Sequence, residues 1–178
     1  MAVNNKNNNI FLIGPMGSGK TSVGKLIANK LSKKFLDTDS EIESITGVDI
    51  TYIFDIEGEA GFRKREEKVV EEATQMQNIV LATGGGAVES KNSRNCIRDN
   101  GFVVYLETNI EDQLKRAKPN NRRPLLRTSN PEKKLKELAT KRKEFYESIA
   151  TLVVQTKGQR PKALAEKIIE SFNAHRDR

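Results

Sequence analysis

The sequence predicts an α/β fold, a three-layer α/β/α sandwich around a central five-stranded parallel sheet. Three observations predict it. Five short apolar runs, Ile10–Ile13, Phe35–Leu36, Ile79–Ala82, Val103–Leu106 and Leu152–Val154, are each too short for a helix and are followed by polar or glycine punctuation. Amphipathic helical patterns lie between them, and such alternation with near-continuous apolar strands calls for a parallel sheet covered on both faces. The first run also opens directly onto a glycine-rich turn and a helix. A length of 178 residues suits one domain, read here as residues 10–172 between flexible tails at 1–9 and 173–178.

The helices follow from spacing. Val23, Leu26, Ile27 and Leu31 recur at offsets of three and four and place one apolar stripe on a helix starting at about Gly19. Residues 66–76 are rich in helix formers, and Leu164, Ile168 and Phe172 make the stripe of the last helix. The stretch from Lys118 to Pro131 breaks this rhythm with prolines, asparagines and arginines and few apolar anchors, so a mobile loop or lid is expected over residues 112–128. The chain has no internal repeat.

Composition narrows the function. With 36% hydrophobic and 31% charged residues, and no apolar run near the roughly 18–20 residues that span a bilayer, the sequence describes a soluble protein without a membrane role. The asparagine-rich residues 1–9 lack the apolar core of a signal peptide, so a cytoplasmic protein is expected. Cys96 is the only cysteine, which rules out an intrachain disulfide, and the only histidine, His175, sits in a charged tail where catalysis is not expected. The net charge of +7 is uneven: twelve Lys/Arg against Glu132 and Glu137 give the stretch 115–143 a charge of +10 and leave −3 for the rest. Such a basic segment suits nucleic acid or a small polyanion such as ATP. It contains no aromatic residue on which a base could stack before Phe145, so nucleic acid is disfavoured as a partner.

The sharpest signal is Gly14-Pro15-Met16-Gly17-Ser18-Gly19-Lys20-Thr21, which matches G-x-x-x-x-G-K-[ST] at every fixed position, between an apolar strand and an amphipathic helix. Glycines let backbone N–H groups turn inward, and the helix amino terminus adds the positive end of its dipole. Lys20 is placed to reach the β- and γ-phosphates of ATP or GTP, and the Thr21 hydroxyl to ligate Mg²⁺. Many such proteins end a second strand in an aspartate that helps hold the metal. Here Ile79–Ala82 ends in Thr83-Gly84-Gly85-Gly86, so the acid must come from elsewhere. Phe35-Leu36-Asp37-Thr38-Asp39 supplies two carboxylates, and on an extended backbone residues two apart face the same side. One acid could serve the metal and the other orient the nucleophile.

The series G-x-x-G-x-G-K-T, D-T-D, F-R-x-x-E (Phe62-Arg63-Lys64-Arg65-Glu66), G-G-G-A-V (Gly84–Val88) and R-P-L-L (Arg123–Leu126) resembles shikimate kinase, in motif order and from about Ile10 to about Phe172. The resemblance implies a P-loop, nucleoside-monophosphate-kinase-like fold with a substrate-binding segment over residues 37–66. It implies ATP-dependent phosphorylation of shikimate at its 3-hydroxyl, Mg²⁺ as cofactor, and ATP and shikimate as partners of a monomer. It also implies roles. The nucleotide falls to Gly17, Ser18, Gly19, Lys20, Thr21 and Ser22, with Arg116 near adenine and Gln159 and Arg160 in an adenine loop. The metal falls to Thr21 and, through water, Asp37. Asp39 holds the shikimate hydroxyls and acts as base, Arg63 and Arg142 bind its carboxylate, Glu66 supports the pocket, and Gly84, Gly85 and Gly86 approach the ring. Lys20, Asp39 and Arg123 form the catalytic set.

Physical chemistry supports part of this independently. A small hydroxylated anion calls for arginine forks, a hydroxyl-accepting carboxylate and open backbone. Arg63 and Glu66, three apart, are neighbours on a helix, as a solvated helix would also have them. Arg122 and Arg123 compete for the phosphate, and the R-P-L-L match favours Arg123. Arg142 sits inside Lys141-Arg142-Lys143, which alone suggests a solvated face; its role rests on standing four before Tyr146. A kinase acting on gluconate or a nucleotide, and a non-catalytic ATP-binding module, are the competing readings.

Overall fold

The computed structural model describes residues 8–116 and 123–177. Five strands, β1 (Ile10–Ile13), β2 (Lys34–Asp37), β3 (Ile79–Ala82), β4 (Phe102–Glu107) and β5 (Leu152–Gln155), form one parallel sheet in the order β2-β3-β1-β4-β5. The helices are α1 (Lys20–Lys30), α2 (Thr38–Thr46), α3 (Ile50–Thr74), α4 (Lys91–Asn100), α5 (Ile110–Arg116), α6 (Pro131–Ile149) and α7 (Pro161–Arg176), with 3-10 turns at Ala87–Glu89 and Pro124–Leu126. The predicted three-layer architecture is the observed one, and each predicted strand lies within an observed one.

Side chains of β1 alternate between the two faces of the sheet, as the strand period requires. Ile10 and Leu12 pack with Val23 and Ile27 of α1 and Leu164, Ile168 and Phe172 of α7. Phe11 and Ile13 pack with Val70 of α3, Ile97 of α4 and Tyr146 and Ile149 of α6. A smaller cluster, Ile42, Ile53, Phe62 and Val69, gives α2 and the two parts of α3 a core of their own. Helix α3 is broken at Gly58, whose φ of 69° and ψ of −177° are non-helical and suit a residue without Cβ. Among the described residues no helix is long and apolar enough to cross a membrane.

Both expected tails are shorter than the composition suggests. Asn9 is 1% exposed. Its amide nitrogen donates to the carbonyls of Met76 (2.8 Å) and Asn100 (3.3 Å), and its side-chain oxygen accepts from the Ile79 N–H (3.1 Å). One asparagine thereby satisfies the backbone leading into β3 and β4, so it belongs to the domain rather than to a solvated tail. At the other end α7 runs to Arg176, beyond the expected boundary at Phe172, and the His175 ring lies 5.1 Å from that of Phe102. Residues 1–7 and 178 lie outside the described residues.

Replacing Asn9 by Ala leaves a buried N–H and two carbonyls short of partners, at about 1–3 kcal/mol for the unmade bonds. Urea unfolding should show a loss of that order for Asn9→Ala and little change for Asn8→Ala.

Candidate active site

The loop between β1 and α1 turns at the carboxyl edge of the sheet, where parallel α/β folds bind ligands. Gly19 caps α1 with a φ of 91° and no side-chain cap, so the first N–H groups of the helix are left to a ligand. Lys20 is 9% exposed, and its ammonium donates to the carbonyls of Gly14 and Pro15 (2.8 Å each) and to Ser18 Oγ (3.3 Å). Burial lowers its pKa to about 8, against the pull of Asp39 and Asp37.

The two carboxylates meet this loop through a helix cap. Asp37 ends β2 and caps α2: its Oδ1 accepts from the N–H groups of Asp39 (3.1 Å) and Ser40 (3.5 Å), while Oδ2 accepts from Thr21 Oγ1 at 2.8 Å. Asp39 already lies in the first turn of α2, so strand alternation is not what brings the pair together. Both still line one cleft of about 470 Å³. Asp39 is accessible to solvent yet ringed by protein. The crowding governs its proton, because water in a narrow cleft solvates a charge less well than bulk water. Removal from bulk water, then the Glu66 and Asp37 charges, push its pKa up to about 7 against Lys20 and Arg63.

At the far end of the cleft charged groups are packed against bare backbone. Arg63 pairs with Glu66 at 2.5 Å and with Glu59 at 3.1 Å, and Glu66 is 1% exposed with its carboxyl pushed up by burial. A Cβ on Gly84 would lie 2.1 Å from Glu66 Oε1, and one on Gly86 would lie 2.3 Å from the Arg63 guanidinium, so side chains there would displace the pair. Arg142 is 2% exposed. It is buried because it shares a helix stripe with Leu135, Leu138, Tyr146 and Ile149, so the solvated face suggested by its lysine neighbours does not apply to it. Glu66 Oε1, Arg63 Nε and Arg142 Nη2 are buried without a hydrogen-bond partner.

Gly17, Gly19, Lys20, Thr21, Ser22, Asp37, Asp39, Arg63, Gly84, Gly85, Gly86, Arg116, Arg123 and Arg142 thus line one cleft, with Ser18 and Glu66 behind it. Arg116 ends α5 and donates to the Gly17 carbonyl at 2.8 Å. Arg123 is half-buried and enters the cleft with Pro124 and Leu125. The expected lid therefore contributes these described parts, whereas residues 117–122, Arg122 included, lie outside the described residues. Gln159 and Arg160 are exposed at the start of α7 and do not line the cleft. Sequence reasoning also missed Ile50 and Phe54, which with Phe62 of the F-R-x-x-E motif give the acceptor end an apolar wall. Their signal was the spacing of four between Ile50 and Phe54, on the part of α3 before the break at Gly58.

A family model described as shikimate kinase matches residues 16–173. A shikimate kinase from Vibrio parahaemolyticus is 52% identical over 162 residues, 91% of this chain and 94% of that protein. One from Colwellia psychrerythraea is 53% identical over 166 residues, 93% and 96% of the two chains. The solved structure of shikimate kinase from Acinetobacter baumannii in complex with shikimate matches with a TM-score of 0.93 and 43% identity over 96% of each chain. Five motifs in order and one cleft that gathers nearly all of their charged residues agree with these matches: the chain belongs to the shikimate kinase family.

Proposed function

We propose that this protein transfers the γ-phosphoryl group of ATP to the 3-hydroxyl of shikimate, giving shikimate 3-phosphate and ADP in aromatic amino-acid biosynthesis. The observation that carries the proposal is one cleft with a phosphate loop at one end, two arginines for a carboxylate at the other, and Asp39 between them. The protein works as a cytoplasmic monomer on these two small anions, with no nucleic acid as partner.

Glycines Gly17 and Gly19, with Ser18, Lys20, Thr21 and Ser22, hold the phosphates, and Arg116 lies beside the adenine. Arg63 and Arg142 bind the shikimate carboxylate, supported by Glu66, while Gly84–Gly86 let the ring lie against backbone. Asp39 accepts the hydrogen bond of the attacking hydroxyl. As the hydroxyl oxygen bonds to the γ-phosphorus, the bond from that phosphorus to the β–γ bridging oxygen breaks, ADP leaves, and the hydroxyl proton passes to Asp39. Lys20 and Arg123 offset the charge that spreads over the transferring group.

The donor set fits Mg²⁺. Thr21 Oγ1 and Asp37 Oδ2 are hard oxygens 2.8 Å apart at the mouth of the loop, and Mg²⁺ is commonly held by one or two protein oxygens, phosphates and waters. Bound there, the ion would neutralise phosphate charge. Thr21 and, through water, Asp37 would hold it.

Purified protein with ATP, Mg²⁺ and shikimate should release ADP in a shikimate-dependent manner; turnover with gluconate or a nucleoside monophosphate instead would replace the acceptor. Asp39→Asn should lower kcat by about 10²-fold or more, the range of general-base loss, while ATP binding measured by calorimetry persists.

The pH dependence follows from two groups. Asp39 must be ionised and Lys20 charged, so kcat/KM should rise through about 7 and fall above about 8. These limbs belong to the interacting pair, and a flat profile would remove both roles. Because folding raises the Asp39 pKa from 3.8 to about 7, its contribution to stability is full at low pH and lost as pH rises through that window. The Tm of Asp39→Asn should therefore exceed that of the parent above neutrality, and the difference should shrink towards pH 4.

A further inference from the structure

Glu89 ends the 3-10 turn that follows the three glycines, and no motif points to it. Its side chain is 16% exposed, and its Oε1 accepts from Arg142 Nε at 2.7 Å. Its Oε2 accepts from the Lys141 ammonium. Burial would push its carboxyl up, but the Lys141 and Arg142 hydrogen bonds outweigh that and hold it below the ordinary glutamate range. The turn is itself clamped: the Glu89 N–H donates to the Gly86 carbonyl at 2.9 Å. Arg94 Nη1 donates to the carbonyls of Val88 (2.6 Å) and Glu89 (3.1 Å) while its guanidinium lies 4.3 Å from the Phe145 ring centroid.

The contact to Nε matters because of guanidinium geometry. A guanidinium offers a side-on edge, Nε with one Nη, and an end-on edge, Nη1 with Nη2. Glu89 takes only Nε, so rotation about the bond to that nitrogen is pinned while Nη2 stays buried without a partner. Arg142 lines the cleft and also hydrogen-bonds the Tyr146 hydroxyl, so its fork is held from two sides while Nη2 is left for a planar carboxylate, which accepts two parallel bonds only from a fork held at the right angle. We propose that Glu89 is a positioning residue that fixes the Arg142 fork for the carboxylate of the acceptor.

This rests on the reading that Arg142 binds that carboxylate. A charge role alone has the opposite sign: Glu89 dilutes the positive field at the acceptor end, so removing it would tighten an anion. An orienting role loosens the anion, and loosens it only while Arg142 is present.

The test is steady-state kinetics of the full chain with shikimate varied at saturating MgATP, for Glu89→Ala, Glu89→Gln, Arg142→Met and the pair Glu89→Ala with Arg142→Met. Glu89→Ala should raise KM for shikimate about tenfold, the scale of one lost charge-assisted bond, with kcat and KM for ATP unchanged within about twofold. Glu89→Gln keeps an acceptor oxygen at the same reach and should fall between, and it carries the test should the alanine variant not fold. In the Arg142→Met background the second change should add less than about twofold. An unchanged or lowered KM in the glutamate variants, an equal rise in KM for ATP, or an undiminished effect without Arg142 overturns the proposal. If Arg142→Met alone leaves KM for shikimate unchanged, the carboxylate reading fails and this inference with it; if only the Glu89 variants are silent, the reading stands and the inference falls.

Discussion

Three charge-bearing side chains, Lys20, Glu66 and Arg142, sit almost wholly out of water, and the cost of keeping them there governs the architecture around the cleft. A buried charge without partners costs several kcal/mol, and even a paired one can fail to recover its desolvation. Each is accordingly given acceptors or donors: loop carbonyls for Lys20, Arg63 one turn away on α3 for Glu66, and Glu89 of the 3-10 turn for Arg142. The parallel sheet makes this possible because its strands end side by side, so turns that are remote in sequence release their polar groups at one edge.

The same constraint explains why three glycines follow β3. Glu66 and Arg63 approach so closely that a methyl group at residue 84 or 86 would occupy their place. The glycines therefore admit protein charge to the backbone as well as ligand. Tyr146, stacked on Tyr105, closes the assembly from α6 by donating its hydroxyl to the Gly85 carbonyl. Charges and glycines are one packing solution, and changing either disturbs both.

The sheet was legible because each of its five strands holds a short apolar run flanked by polar residues or breakers, down to Phe35 and Leu36 alone in β2, and the phosphate loop because its glycines and lysine are constrained one by one. Residues whose meaning depends on which helix face they occupy were harder. Arg142 between two lysines looks solvated until the spacing of Leu135, Leu138, Tyr146 and Ile149 is laid over it, and Glu66 similarly shares a face with Phe62, Val69, Val70 and Ala73. A polar residue on an apolar stripe was the available signal, and local composition masked it. Asn9 was missed because an asparagine-rich run gives no hint that one member makes three bonds to the backbone leading into two strands. Glu89 was missed because a partner 53 positions away in sequence leaves no local trace. Asp37 and Asp39 were found for a reason that does not operate: a helix cap, not strand alternation, turns them toward the loop.

The charge balance of the cleft gives the site its last property. Among the described residues, Lys20, Arg63, Arg116, Arg123 and Arg142 face it, against Asp37 and Asp39. Without anions this is an unfavourable concentration of like charge; burial is the main reason the Lys20 pKa is lowered, and Arg123 and Arg142 add smaller pushes in the same direction. In the proposed function a nucleoside triphosphate at one end and a carboxylate at the other would supply the missing negative charge, so each ligand would relieve repulsion felt by groups that hold the other. Asp39 is the exception within this basic field. Crowding and its acidic neighbours keep its proton affinity high, and the cations that would lower it are the ones the ligands neutralise. On the proposed reading, filling the cleft with anions would therefore raise the basicity of Asp39 further, and the carboxylate would become a stronger proton acceptor with both substrates in place.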